Sequence, residues 1–258
     1  VTPVDDPTPV AEEEVAAFRR AVLGEKHEAS YQRKGPHDIS HMLSKTERFR
    51  LNFFATLQGS AFVARPLCMG GQLDPQALHL PPVLMELCEH DRGLILVVGS
   101  TGSGKSTTLA TLGNHINQTA SKHILTLEDP VEFLHEDIHS LISQREINVH
   151  AESFVDALRS GLRENPDVIV IGEMRDTETM QVAVNAALTG HLVIATVHTS
   201  NAIQAIERII TMFPADLRNQ IATDLSLALL GVVAQRLLPS AKSAGMMPAV
   251  EVLLTSST

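Results

Sequence analysis

LILVVGSTGSGKSTTL, residues 94–109, passes from an unbroken apolar run into a glycine-rich loop and then into a helix-forming segment. Residues 94–98 are too continuously apolar for a strand with one face in water, which fits a parallel strand buried on both sides. GSTGSGKST then matches the pattern G-x-x-x-x-G-K-[ST] at Gly99, Gly104, Lys105 and Ser106. Glycines in such a loop let backbone amides turn inward around phosphate oxygens. A helix predicted over residues 105–118 points the partially positive end of its dipole at the same charge. In that role Gly99, Ser100, Thr101, Gly102, Ser103, Gly104 and Thr107 surround the phosphates of ATP. Lys105 neutralises the β- and γ-phosphates, and the Ser106 hydroxyl ligates Mg2+. A flexible glycine turn that holds nothing is the competing reading; the strand, loop and helix context favours the cradle.

Working outward, HILTL (residues 123–127), DVIVI (167–171) and HLVIAT (191–196) repeat the continuous apolar run. Helical stretches at 105–118, 152–164, 177–188 and 202–213 alternate with them, an order that predicts an α/β fold with a mainly parallel sheet and helices on both sides. Upstream the text differs. AEEEVAAFRRAVL (11–23) reads as a helix with acids in its first turn and arginines near its end, stopped by Gly24. RLNFFATL and SAFVARPL flank Gln58-Gly59-Ser60 as a hairpin. Pro66, Gly70, Gly71, Pro75, Pro81 and Pro82 crowd the next stretch as a linker. The expected division is a small α+β domain over 1–73 and an α/β domain over 74–258.

Composition excludes several classes. With 44% hydrophobic and 19% charged residues in 258, the chain is a packed globular protein. Thirty acidic against twenty basic residues, a formal charge of -10, one Tyr and no Trp give no support to direct nucleic-acid binding. Cys68 and Cys88 form no CxxC pair, so a disulfide framework or cysteine zinc site is not expected and a reducing cytoplasm fits. The longest apolar stretch, 227–234, is far short of the roughly 18 residues of a membrane span. The acidic, proline-rich start lacks the features of a secretory signal, so the chain is expected inside the cell.

In a parallel sheet the carboxyl ends of the strands converge on the phosphate loop, and polar residues there are the site candidates. The strand at 123–127 runs into Glu128-Asp129-Pro130, that at 167–171 into Gly172-Glu173, and that at 191–196 into Val197-His198-Thr199. Glu173 is the candidate to orient the attacking water, with Mg2+ in reach through water; an exposed acid partnered by Arg175 is the alternative. Glu128 divides between a magnesium site and turn capping. His198 divides between hydrogen bonding to the γ-phosphate and a satisfied loop histidine. Arg50 and Arg65, with Arg48, divide between phosphate contacts and surface salt bridges. His191 begins its strand and reads as structural on position alone.

GSTGSGKSTTL, ILTLEDPVEF, SGLRENPDVIVIGEMRDTET and TGHLVIATVHT, in that order, resemble the Walker A, Asp, Walker B and His boxes of the secretion ATPase superfamily, closest to PilT-like type IV pilus retraction ATPases. The resemblance runs from about Arg48 to the end. It implies a RecA-like P-loop NTPase domain behind a partial PAS-like one, a homo-hexameric ring, ATP hydrolysis coupled to domain closure, and a cytoplasmic site peripheral to an inner-membrane pilus or secretion platform protein, without membrane insertion. It assigns Glu173 as the catalytic glutamate, Glu128 to the magnesium and phosphate region, and His198 with His191 to the His box. Arg50 in RFRLN matches the family's RFRVN strand and Arg65 the end of its partner strand, making both phosphate-contact candidates. Gly172-Glu173 replaces the generic Asp-Glu, as is usual in the family. Gln58 departs from the family's arginine, and the resemblance implies a chain lacking both terminal segments, including the AIRN-type motif. The runners-up are an assembly or type II secretion ATPase, whose relatives usually carry a four-cysteine zinc insertion, and a weakly active ATP-binding accessory subunit of such a ring. A DNA-translocating motor comes third.

Overall fold

The computed structural model describes residues 10–44, 47–57, 59–67, 73–241 and 245–255. The chain divides into two compact units, Val1–Met69 and Gly70–Thr258. Gln58, Cys68, Gly70 and Gly71, on which the hairpin turn, the missing arginine and part of the linker drew, lie outside the described residues.

The first unit contains α1 (Glu12–Lys34), β1 (His37–Met42), β2 (Arg48–Thr56) and β3 (Gly59–Leu67). The strands form an antiparallel sheet in the order β1-β2-β3. Leu51 and Phe53 alternate along β2 on the face that also buries Ile39, Leu23 and Tyr31, the period expected of a half-buried strand. The first helical stretch ends at Gly24, as expected, but the element does not. That residue adopts φ 65°, ψ 176° as a kink, and the chain resumes its helix to Lys34. Contacts across the kink explain the continuation. Arg19 binds Glu28 at 2.8 Å and lies over the Tyr31 ring at 4.5 Å, while Leu23 and Tyr31 enter one cluster, so burial on both sides outweighs the break.

In the second unit α2 (Val83–Leu87), β4 (Gly93–Val98), α3 (Lys105–Thr119), β5 (His123–Glu128), β6 (Leu141–Glu146), α4 (Phe154–Gly161), β7 (Val168–Ile171), α5 (Thr177–Leu188), β8 (Leu192–Val197), α6 (Ala202–Met212), α7 (Arg218–Ala228), β9 (Leu229–Pro239) and β10 (Met246–Leu254) follow in turn. Side-chain oxygens explain where three of the helices begin: Ser153, Asp176 and Asn201 accept the backbone N–H groups of Asp156, Thr179 and Gln204. The sheet has seven strands in the order β10-β9-β4-β8-β7-β5-β6. Every neighbouring pair is parallel except β9 and β10. This is the expected mainly parallel α/β architecture, with β6, β9 and β10 added to the strands read from the apolar runs.

Burial on both faces is visible residue by residue. Leu94, Leu96 and Val98 of β4 pack with α4, α5, α6 and α7, whereas Ile95 and Val97 pack with α2 and α3. All five are fully buried, and each such side chain contributes about 1.5–3 kcal/mol on leaving water. That double burial is why the strand reads as a continuous rather than an alternating apolar run.

Candidate active site

The strand order determines what meets the phosphate loop. β4 lies between β8 and β9, β7 follows β8, and β5 follows β7. Since parallel strands end on the same edge, the loop after β4 is flanked by the segment after β8, with Glu173 and then Glu128 next along that edge. On the other flank runs β9, carrying Gln235.

The loop's shape comes from its glycines. Gly104 adopts the left-handed region at φ 89°, which lets α3 begin at Lys105. A Cβ on Gly99 would stand 2.4 Å from the Gln235 backbone oxygen, and one on Gly102 would meet nothing within 4 Å. Ser100, Thr101, Gly102 and Ser106 are exposed, Thr107 is partly so, and Ser103 and Lys105 are buried. The loop therefore presents backbone and hydroxyls outward over a buried ammonium.

Lys105 Nζ donates to the carbonyls of Gly99 and Ser100 at 3.0 and 2.9 Å. It also lies 3.3 Å from His198 Nδ1. An ammonium only donates, so Nδ1 must accept and the imidazole proton sits on Nε2. From there it points to Glu173 Oε1 at 3.0 Å. Lys105, His198 and Glu173, from α3 and the ends of β8 and β7, thus form one hydrogen-bonded chain. Burial pushes the Lys105 ammonium below its ordinary pKa, opposed by the nearby charges of Glu173 and Glu132.

Glu173 is also gripped by Arg175, whose Nε donates to Oε2 at 2.7 Å. Glu173 thus pairs with Arg175 and also reaches the loop through His198. Its backbone turn is tied to both neighbouring strands, with Gly172 N–H on Leu127 O at 2.7 Å and Met174 N–H on Thr196 O at 3.0 Å. A Cβ on Gly172 would stand 3.2 Å from Leu127 O, so glycine before the glutamate lets β7 and β5 close together. His198 is held from behind by Arg208, which donates to its carbonyl at 2.8 Å.

The remaining candidates take no part in that hydrogen-bonded chain. The Glu128 carboxylate accepts from Thr126 Oγ1 at 2.7 Å, from Gln144 Nε2 at 3.3 Å and from Glu132 N–H at 3.4 Å. Its enclosure raises its pKa despite those donors. His191 sits at the start of β8, where Nδ1 contacts Ala186 O at 3.0 Å and helps close α5. A strand of about 3.3 Å per residue separates it from His198, so the structure does not bring it to the phosphate loop of this unit. Arg50 and Arg65 belong to the first unit and face each other across the β2–β3 register. Arg50 is paired with Asp38, its Nε 2.9 Å from Oδ2, and Arg65 is exposed. Sequence reasoning missed Gln235 and Arg208. Gln235 directly follows the apolar run ending at Ala234 and lies inside β9, one residue past the Val98–Ala234 pair, and nothing local marks that run as a strand beside β4.

For magnesium, the exposed Ser106 hydroxyl at the start of α3 is an available oxygen donor. Among the described residues no group of three or more His, Cys, Asp or Glu could hold a metal ion. That donor set fits a cation held largely by phosphate oxygens and water rather than by a protein cage. No helix among the described residues is long and apolar enough to cross a membrane.

The sequence profile of the type II/IV secretion system protein family matches residues 21–252. The chain is 43% identical over 244 residues to a twitching motility protein of Neisseria gonorrhoeae, covering 95% of this chain and 65% of that protein. It is 40% identical over 230 residues to the type IV pilus retraction ATPase PilT of Pseudomonas aeruginosa, covering 89% of this chain and 67% of the relative. Its fold is similar to a crystal structure of the pilus retraction motor PilT with bound ADP, with a TM-score of 0.88 and 41% identity over 96% of this chain and 71% of that one. The chain thus spans about two thirds of the length of these relatives.

Proposed function

Because the chain belongs to the type II/IV secretion system protein family, we propose that it is the ATP-hydrolysing part of a ring motor that powers type IV pilus retraction. The observation that carries the chemistry is the chain from Lys105 through His198 to Glu173, which links the phosphate loop to a carboxylate on a separate strand. The retraction role is supported by the twitching motility and PilT relatives.

Entry of a triphosphate gives Lys105 better partners than two carbonyls and an imidazole. Its ammonium moves onto the β- and γ-phosphate oxygens, which frees His198 Nδ1. Glu173, held on one oxygen by Arg175 and on the other by His198, is positioned to orient a water toward the γ-phosphorus and to take its proton as the P–O bond to the β-phosphate breaks. Lys105 absorbs the negative charge that develops on the leaving oxygen. Magnesium, when bound, supplies further neutralisation of the phosphates, with Ser106 as its protein ligand and Glu128 and Glu173 acting through water. Arg50, released from Asp38, and Arg65 are proposed as phosphate contacts within a homo-hexamer. The motor is proposed to work on the cytoplasmic side of an inner-membrane pilus platform protein.

The test is turnover of purified chain with Mg-ATP. Lys105→Ala removes hydrolysis, and near-parental turnover in that variant refutes the assignment. Glu173→Gln still binds ATP but hydrolyses it at least about tenfold more slowly, as expected for loss of a positioned catalytic group. Particle mass with and without a non-hydrolysable ATP analogue reads the ring directly. Turnover that appears only with a longer partner chain would instead favour an accessory subunit.

A further inference from the structure

β9 runs beside β4, and its residue Gln235, 4% exposed, lies against the phosphate loop. A buried amide is costly unless its polar atoms are bonded, and both ends of this one are. Nε2 donates to the Ser103 carbonyl at 2.9 Å, and Oε1 accepts from the Thr108 hydroxyl at 2.7 Å. The amide's orientation is settled by chemistry, since a carbonyl oxygen only accepts and must face the NH2 group. Two loop glycines leave room for the same residue. A Cβ on Gly99 would stand 2.4 Å from the Gln235 backbone oxygen, and one on Gly104 would stand 2.7 Å from its Nε2.

We propose that Gln235 is a positioning residue that sets the shape of the phosphate loop and so governs nucleotide affinity rather than the chemical step. Anchoring the Ser103 carbonyl fixes the plane of the Ser103–Gly104 peptide. In a trans peptide the C=O and N–H point in opposite directions, so the Gly104 N–H is turned away from Gln235 and toward the phosphate side. The Thr108 hydroxyl fixes the amide to the first turns of α3, so loop and helix move as one piece. Gln235 touches no phosphate in this arrangement; it acts through the backbone that does.

The inference rests on the loop being a nucleotide site, and the experiment separates the two. ADP affinity is measured by titration calorimetry on the parent chain, Gln235→Leu, Gln235→Glu and Thr108→Val, alongside kcat and KM for ATP and thermal midpoints without nucleotide. Gln235→Leu, which leaves the Ser103 carbonyl and Thr108 hydroxyl without partners, weakens ADP binding about tenfold or more and raises KM in proportion, with kcat changed less. Thr108→Val produces a smaller loss of the same kind. In Gln235→Glu the ionised carboxylate repels the Ser103 carbonyl, but once protonated it regains a donor. Its affinity relative to the parent therefore recovers as pH falls from 8.5 to 5.5, a rescue that a general packing defect would not give. If Gln235→Leu does not fold, the other two variants carry the same test. ADP binding by the variants within twofold of the parent, a kcat loss with KM unchanged, or a flat pH ratio for Gln235→Glu overturns the inference alone. A parent chain that does not bind ADP overturns both this inference and the nucleotide site.

Discussion

Replacing His198 by alanine cuts the chain between the phosphate loop and Glu173 at its middle. The variant loses the contact to Glu173 Oε1 at 3.0 Å and the one to Lys105 Nζ at 3.3 Å. A hydrogen bond to a charged group contributes about 1.5–3 kcal/mol, and the imidazole's 36% exposure puts the Glu173 contact at the lower end of that range. At about 1.4 kcal/mol per decade, this amounts to roughly a tenfold effect. Geometry decides which constant absorbs it. Lys105 keeps its carbonyl partners at 3.0 and 2.9 Å, so the loop retains its shape and KM for ATP stays within about threefold. Among the described residues Glu173 then keeps Arg175, itself 59% exposed, so kcat falls by about tenfold or more. Glutamine and asparagine separate the two contacts. A glutamine amide reaches where Nε2 stood and restores the donor to Glu173, whereas the shorter asparagine amide falls near Nδ1 and does not. Phosphate release at saturating Mg-ATP should therefore rank parent, His198→Gln, His198→Asn and His198→Ala in descending kcat. A kcat for His198→Ala within twofold of the parent, or asparagine outperforming glutamine, would refute the reasoning.

The loop, the core and a buried thiol give further outcomes. Gly104→Ala must hold an alanine at φ 89°, which costs about 1–2 kcal/mol, and drives its Cβ to 2.7 Å from Gln235 Nε2; ADP affinity measured by calorimetry should fall by about tenfold or more. Ile169→Ala empties a fully buried position in the strand that carries Glu173 and should lower unfolding free energy in urea by about 2–5 kcal/mol. Cys88 is driven by burial from an ordinary value of 9.0 up to about 12, so between those values the unfolded chain has lost a proton that the folded chain keeps. Stability is then fully present below pH 9 and falls by about 1.4 kcal/mol per pH unit as pH rises toward 12. The difference in urea midpoint between pH 8.5 and 10.5 should accordingly shrink in Cys88→Ala, and an unchanged difference would count against the thiol as its source.

Much of the second unit was legible because its strands are buried on both faces. A strand such as Ile169–Val170–Ile171, with helices on either side, admits no polar residue, so its apolar run is visible without knowing its neighbours. β6 and β10 escaped because they lie at the sheet edges and mix polar residues with apolar ones, as in Gln144 and Arg145 or Glu251. β9 escaped for another reason. Its apolar residues follow directly on α7, and Leu229 both closes that helix and opens the strand, so no turn residue marks the change of period. In the first unit Gly24 did break the helical backbone, but the ion pair and ring contact spanning it lie outside the reach of a local stop signal.

The candidate site follows the same division. Lys105, Glu173 and His198 each announce themselves by position, one in a glycine loop and two just past the ends of apolar runs, and the parallel rule sends all such ends to one edge. Their order along that edge is a property of strand pairing, which no single segment contains. Once β8 is known to lie between β4 and β7, His198 becomes the bridge rather than one polar loop residue among several, and Arg175 becomes a second holder of Glu173 rather than its mere neutraliser. Gln235 shows how far this dependence goes, because its meaning comes almost wholly from a strand paired with β4 but distant from it in sequence. His191 shows the converse: the same residue type at the opposite end of β8 meets the end of α5, so strand direction decides which of the two histidines reaches Lys105.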